Sequence, residues 1–188
     1  MAARHEWVRH NEKIPTDGYD EKYFKRFDPD LYDPKVWAQA ASSAGMKYFV
    51  ITTKHHEGFC LWDSKFTDYK ATKTPAKRDL LRPMVDAFRD KNMHVGFYHS
   101  LIDWHHPQYI VDKLNGPYRE LSDADMAKMN TGRSQALYAE YLHNQVRELL
   151  TQFGKIDILW LDFSFPQKDG SGKGRKDWKS EVLYDLVR

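Results

Sequence analysis

Disulfide chemistry is missing from this sequence: a single cysteine, Cys60, stands among 188 residues, which excludes an internal disulfide framework and any cysteine-rich zinc module. Charge of one sign is missing too. The 29 basic and 27 acidic residues leave a net +2, too even a balance to point to nucleic acid or an anionic membrane surface. No apolar run approaches the roughly 20 residues of a membrane-spanning helix. The opening residues, MAARHEWVRHNEKIP, lack the apolar stretch of a signal peptide, so a cytoplasmic setting is the expectation. There is no internal repeat and no low-complexity segment.

Aromatic residues, in contrast, are plentiful at 14%, with 6 Trp, 11 Tyr and 10 Phe. Aromatic faces pack well against sugar C–H surfaces, but they also fill cores, and composition alone favours the core. Hydrophobic residues at 41% and charged residues at 30% are the balance of one ordinary globular domain, taken here as residues 1–188.

Three short runs rich in β-branched and aromatic residues read as buried strands: 47–53, 94–100 and 156–162. Helical patterns lie between them. Asp33-Pro34 supplies an N-cap and a first-turn proline, and Gly45 a left-handed C-terminal residue, around the stripe Val36, Trp37, Ala40, Ala41 and Ala44. A second helix is expected over about 80–91 and a third over about 134–153, the latter with Leu137, Tyr141, Leu142, Val146, Leu149 and Leu150 inward and closed by Gly154. Alternating helices and strands with long crossovers imply parallel strands and an α/β class. Residues 165–177 carry Gly170, Gly172 and Gly174 but not the spacing of a phosphate-binding loop, because Gly174 follows Lys173 and position 167 is Gln167.

In parallel α/β folds, ligands meet the carboxyl ends of the strands. The first strand leads into Lys54-His55-His56-Glu57-Gly58-Phe59. The second carries Tyr98 and leads to Asp103-Trp104-His105-His106, and the third ends at Asp162. Titratable groups thus leave all three strands, beside Trp62, Trp104 and Trp160. Asp162 follows an apolar run, which suits either a helix cap or a fixed carboxylate facing an oxocarbenium-like centre. His55 and His56, joined by Asp103, His105 or His106, could form a His/carboxylate metal site. Neutral imidazoles bonding to sugar hydroxyls fit at least as well. The expectation is a site without metal or cofactor.

The segment from Tyr48 through Lys54-His55-His56-Glu57-Gly58 to Trp62-Asp63-Ser64 resembles the signature of family 29 glycoside hydrolases, the α-L-fucosidases. Lys77-Arg78-Asp79-Leu80, Gly96-Phe97-Tyr98-His99-Ser100 with Asp103-Trp104, and Ile156 to Asp162 agree in order, as do Glu6-Trp7 upstream. The resemblance implies an irregular TIM-like (β/α) barrel that releases terminal α-L-fucose with retention, through Asp162 as nucleophile. His55 and His56 would bind fucose hydroxyls, Tyr98 would lie by the nucleophile, and Glu6 and Trp7 would meet the sugar from the other side. Trp62 and Trp104 are further expected sugar contacts. Retention needs a nucleophile and an acid/base carboxyl about 5–5.5 Å apart.

Against the family pattern, the first barrel strand, with its sugar-binding histidine, is missing. So are the later strands and the segment that usually supplies the acid/base. Glu57 stands where Asp is more usual, and Phe163 stands where Gly is usual and narrows the entrance beside Asp162. For the proton donor, Glu57 is the first candidate and Asp103 the second, with His105, Glu120 and Glu181 behind them. Three or four parallel strands cannot close a barrel, so an incomplete (β/α) barrel with open edges is expected, with copies of the chain associating to cover them. A non-catalytic fucose-binding remnant is the alternative function.

Overall fold

The computed structural model describes residues 7–114, 116–168 and 172–188. Glu6 therefore lies outside the described residues, as do positions 169–171 of the glycine-rich connection.

Three parallel strands, β1 (Tyr48–Lys54), β2 (His94–Ser100) and β3 (Ile158–Asp162), form one sheet in the order β1-β2-β3. Around it run α1 (Val8–Asn11), α2 (Thr16–Lys22), α3 (Pro34–Ser43), α4 (Leu81–Arg89), α5 (Asp123–Asn130), α6 (Gln135–Gln152) and α7 (Ser180–Val187). The α/β class with parallel strands is as expected. Among the described residues the sheet stays open, with β1 and β3 as its edges.

The helix signals operate as read. Asp33 accepts from the backbone N–H groups of Lys35 and Val36 at 3.1 Å each, and Gly45 sits at φ 78°. Ser134 caps α6 through the N–H of Leu137. The α3 stripe, however, is mostly turned outward, with only Ala41 of it packed partly against the core. Val36 is 60% and Trp37 45% exposed, whereas Ala38 is fully buried. Leu137 is likewise exposed, because Tyr138 takes the inward place on α6.

One sheet face is covered. Phe49, Val95 and Phe97 pack with Met84, Val85 and Phe88 of α4 and with Leu149 of α6 into a first core. A second core gathers Leu101, Ile102 and Trp104 after β2 against Tyr138, Leu142 and Val146 of α6, and Trp178 and Leu183 complete it. The opposite face is open. Tyr48 of β1 is 55% exposed and Trp160 of β3 57%. Of the three strands expected to be buried, only β2 is well enclosed. No helix among the described residues is long and apolar enough to cross a membrane.

Candidate active site

Period-two alternation places the third strand's last residue over the second strand. The register pairs Tyr98 with Trp160 and Ser100 with Asp162, so Tyr98, Trp160 and Asp162 share the open face. The Tyr98 hydroxyl donates to Asp162 Oδ2 at 3.0 Å, and the Phe163 N–H donates to Oδ1 at 2.8 Å. Both carboxylate oxygens are thereby fixed. Burial, then the charge of Asp162 and the bond to it, push the Tyr98 phenol well above its ordinary value of 10.0, so Tyr98 remains a donor. Phe163 holds a left-handed backbone, φ 74°, which is costly for a residue with a side chain.

The paired histidines rise from the end of β1. Their ring centroids are 3.9 Å apart, and His55 lies 5.5 Å from the Tyr98 ring. His56 is stacked on Trp104 at 4.0 Å and faces Trp7 at 4.9 Å. Phe163 closes the group, at 5.9 Å from His55 and 5.8 Å from His56. Trp7, His55, His56, Tyr98, Phe163 and Asp162 thus form one polar and aromatic constellation.

Several expected site residues stand elsewhere. Trp62 is fully buried in the first core, its indole N–H donating to Glu148 at 3.1 Å, so it has no surface to offer a sugar. Trp104, at 3% exposure, is buried behind His56. Asp103 is buried and accepts from the N–H groups of His105 and His106 at 3.0 and 2.9 Å, with Lys54 Nζ at 3.4 Å. His105 stacks on Tyr69 at 3.7 Å, and His106 on Tyr141 at 4.1 Å. Burial pushes the His106 imidazole down to about 4, the largest of its influences. Glu120 and Glu181 are exposed partners of Lys13 and Arg175.

Glu57 is drawn into the histidine pair. Its Oε2 lies 2.6 Å from His56 Nδ1 and 3.7 Å from His55 Nδ1. Burial alone would raise its carboxyl, but hydrogen bonds and charge from both imidazoles outweigh burial and lower it. With its Oε2 turned to both imidazoles, Glu57 is placed to accept from them, whereas a general acid would hold a proton for the leaving group. Among the described residues, His55, His56 and Glu57 form the one group whose donor atoms converge as metal ligands would, within 4.8 Å. Asp103, His105 and His106 do not join it.

Sequence reading missed Lys54 and Glu148. Lys54 is fully buried at the end of β1, and Glu148 gathers Trp62, the Ser64 hydroxyl at 2.8 Å and the Lys65 N–H at 2.9 Å. A charged residue inside an apolar strand or helix face was the available signal.

An open parallel sheet with a clamped carboxylate and imidazoles at its carboxyl ends defines the class: α/β proteins with a ligand site at the strand tips. The Alpha-L-fucosidase family model matches residues 2–188, and the chain belongs to that family. Alpha-L-fucosidase isoenzyme 1 from Paenibacillus thiaminolyticus superposes with a TM-score of 0.85 at 52% identity, over 97% of this chain and 41% of that one. A family 29 alpha-L-fucosidase from Bacteroides thetaiotaomicron, a trapped covalent intermediate with 2-fluoro-fucosyl fluoride, superposes at 0.74 with 32% identity, over 96% of this chain and 38% of that one. The tissue alpha-L-fucosidase of Bos taurus is 39% identical over 106 residues, 56% of this chain and 23% of that protein. The chain thus spans well under half the length of these relatives.

Proposed function

We propose that this chain carries the nucleophile and fucose-binding part of a retaining α-L-fucosidase. One observation carries the reading: Asp162 stands at a strand tip with each carboxylate oxygen held by a separate donor, Tyr98 and the Phe163 N–H, and the Tyr98 ring in turn faces the His55 imidazole. In the first displacement an Asp162 oxygen attacks the anomeric carbon of a terminal α-L-fucoside. The bond to the leaving-group oxygen breaks, and that oxygen takes a proton from solvent. In the second, water attacks the same carbon and gives up a proton to solvent, the Asp162 ester breaks, and fucose leaves with its configuration retained. His55, partly exposed, meets fucose hydroxyls; His56, fully buried in this structure, stands behind it, and Trp7 lies against the apolar sugar face. The capture of a covalent intermediate in the Bacteroides relative supports the two-step course.

Glu57 and Asp103 are both engaged as acceptors, so leaving groups that need little protonation are the favoured test substrates. Release of chromophore from an aryl α-L-fucoside should be measurable for the wild type and fall to background for Asp162→Ala. Undiminished turnover in that variant would end the proposal. Fucose binding without wild-type turnover would instead indicate a sugar-binding remnant.

The three strands are read as one sector of a (β/α) barrel, and copies of the chain as associating over its open edges. The chain exposes 11052 Å². A compact 22.2 kDa monomer would expose about 9,400 Å². The excess reflects the open face and unpaired edges of the sheet, which further strands of a barrel or a second copy of the chain would cover.

A further inference from the structure

Lys54 and Asp103 are buried, oppositely charged, and absent from the chemistry above. Lys54 is fully buried and Asp103 1% exposed, with Lys54 Nζ 3.4 Å from Asp103 Oδ2 and 3.4 Å from the Tyr138 hydroxyl. The ammonium also lies over the Tyr138 and Tyr141 rings, at 5.6 and 5.1 Å. Charges so enclosed cost more to bury than they return unless geometry and further hydrogen bonds compensate. Here they do. Asp103 Oδ1 takes the His105 and His106 N–H groups, which fixes the turn that follows β2.

Their places in the chain give the pair a purpose. Lys54 immediately precedes His55-His56, and Asp103 immediately precedes Trp104. The β1–β2 ladder shifts register between Thr52 and Lys54 and ends at the Lys54–His99 pair, so strand pairing no longer fixes the two segments beyond Lys54, where the site begins. Beyond that shift, the Trp104 N–H donates to the His56 carbonyl at 2.8 Å, and the two rings stack at 4.0 Å. Gly58 completes the arrangement. At φ 84° its backbone lies against the Asp103 carboxylate, and a Cβ there would collide with Oδ1. The ion pair therefore sets the gap between the two strand-end loops at the point where the sheet stops setting it.

We infer that Lys54 and Asp103 are positioning residues, an internal clamp that holds Trp104 against His56 and so sets the orientation of the imidazole pair. This rests on the fucosidase reading for its kinetic consequence, but the clamp itself is a statement about ring geometry.

Asp103→Asn is the sharpest variant, since the amide oxygen can still accept from His105 and His106 while the charge facing Lys54 is lost. In the folded variant, the His56 ring-proton resonances should move toward unstacked values, as the ring current of Trp104 is withdrawn. KM for an aryl α-L-fucoside should rise about tenfold with kcat much less changed, the effect of one misplaced sugar hydrogen bond. Lys54→Met/Asp103→Asn removes both charges and leaves neither uncompensated, so it covers the case in which the single variant does not fold. It should show the same resonance shift. Gly58→Ala, which displaces the Asp103 carboxylate without altering charge, should reproduce both effects. Unmoved His56 resonances in the folded variants overturn the clamp. Because the resonances report without substrate, a wild type lacking turnover would refute the fucosidase reading and leave this test intact.

Discussion

Tyr98 and the Phe163 N–H grip the Asp162 carboxylate from two sides, but only one grip can be removed by substitution. Tyr98→Phe keeps the ring that packs against His55 and Trp160 and removes the bond to Oδ2. A hydrogen bond to a charged group contributes about 1.5 kcal/mol, so kcat/KM should fall about tenfold, as steady-state kinetics would show. Glu57 gives a pH signature. Its folded-state carboxyl is lowered from 4.5, so the unfolded chain binds that proton more tightly and stability rises with pH. The contribution is full above the ordinary value and is lost as pH falls through the lowered one. Melting followed from neutrality into the acid range should therefore show a shallower acid loss for Glu57→Gln than for the wild type. Parallel curves would remove Glu57 from that role.

Among the elements, α6 bears the most. It supplies Leu149 to one core and Leu142 and Val146 to the other, and its Glu148 pins the loop after β1 through Trp62, Ser64 and Lys65. Glu148→Gln replaces an acceptor oxygen by a donor that must face one of three N–H or O–H groups. The cost should be about 2 kcal/mol, seen as a melting temperature lower by about 6 °C. An unchanged melt would mean that the loop is held elsewhere. Helix ends were legible in the sequence because caps are local: Asp33, Ser134 and Gly45 act within a few residues of themselves. Which helix face is buried was less legible. The α3 stripe is regular, yet it points mostly outward, because nothing in a periodic pattern states whether a neighbour is present to cover it.

At the scale of the molecule, a sheet of three parallel strands leaves two edges and one face unpaired. Trp160 and Tyr48 on that face, with Val182 and Tyr184 of α7, remain exposed. Sedimentation velocity over a concentration series should show mass above the 22.2 kDa monomer, and Trp160→Lys should shift the distribution back toward it. A monodisperse monomer at all concentrations would contradict self-association. The constellation at the strand tips was legible as a set, since parallel strands carry their carboxyl ends to one side of the sheet.

Residue order alone determined the α/β alternation, the three strands, the helix caps and the candidacy of Asp162, His55 and His56, because each depends on short-range patterns or on topology, while the place of Tyr98 by Asp162 followed from the family resemblance. Tertiary structure decided which aromatic rings reach the Asp162 side of the sheet. Trp62 entered the core and Trp104 went behind His56, although both stand near the site in the chain. It also turned Asp103 from a proton-donor candidate into the partner of Lys54, and it drew Glu57 to the imidazoles. Those outcomes depend on what lies across the fold from each side chain, 49 residues away in the case of Lys54 and Asp103, and no local pattern encodes that distance.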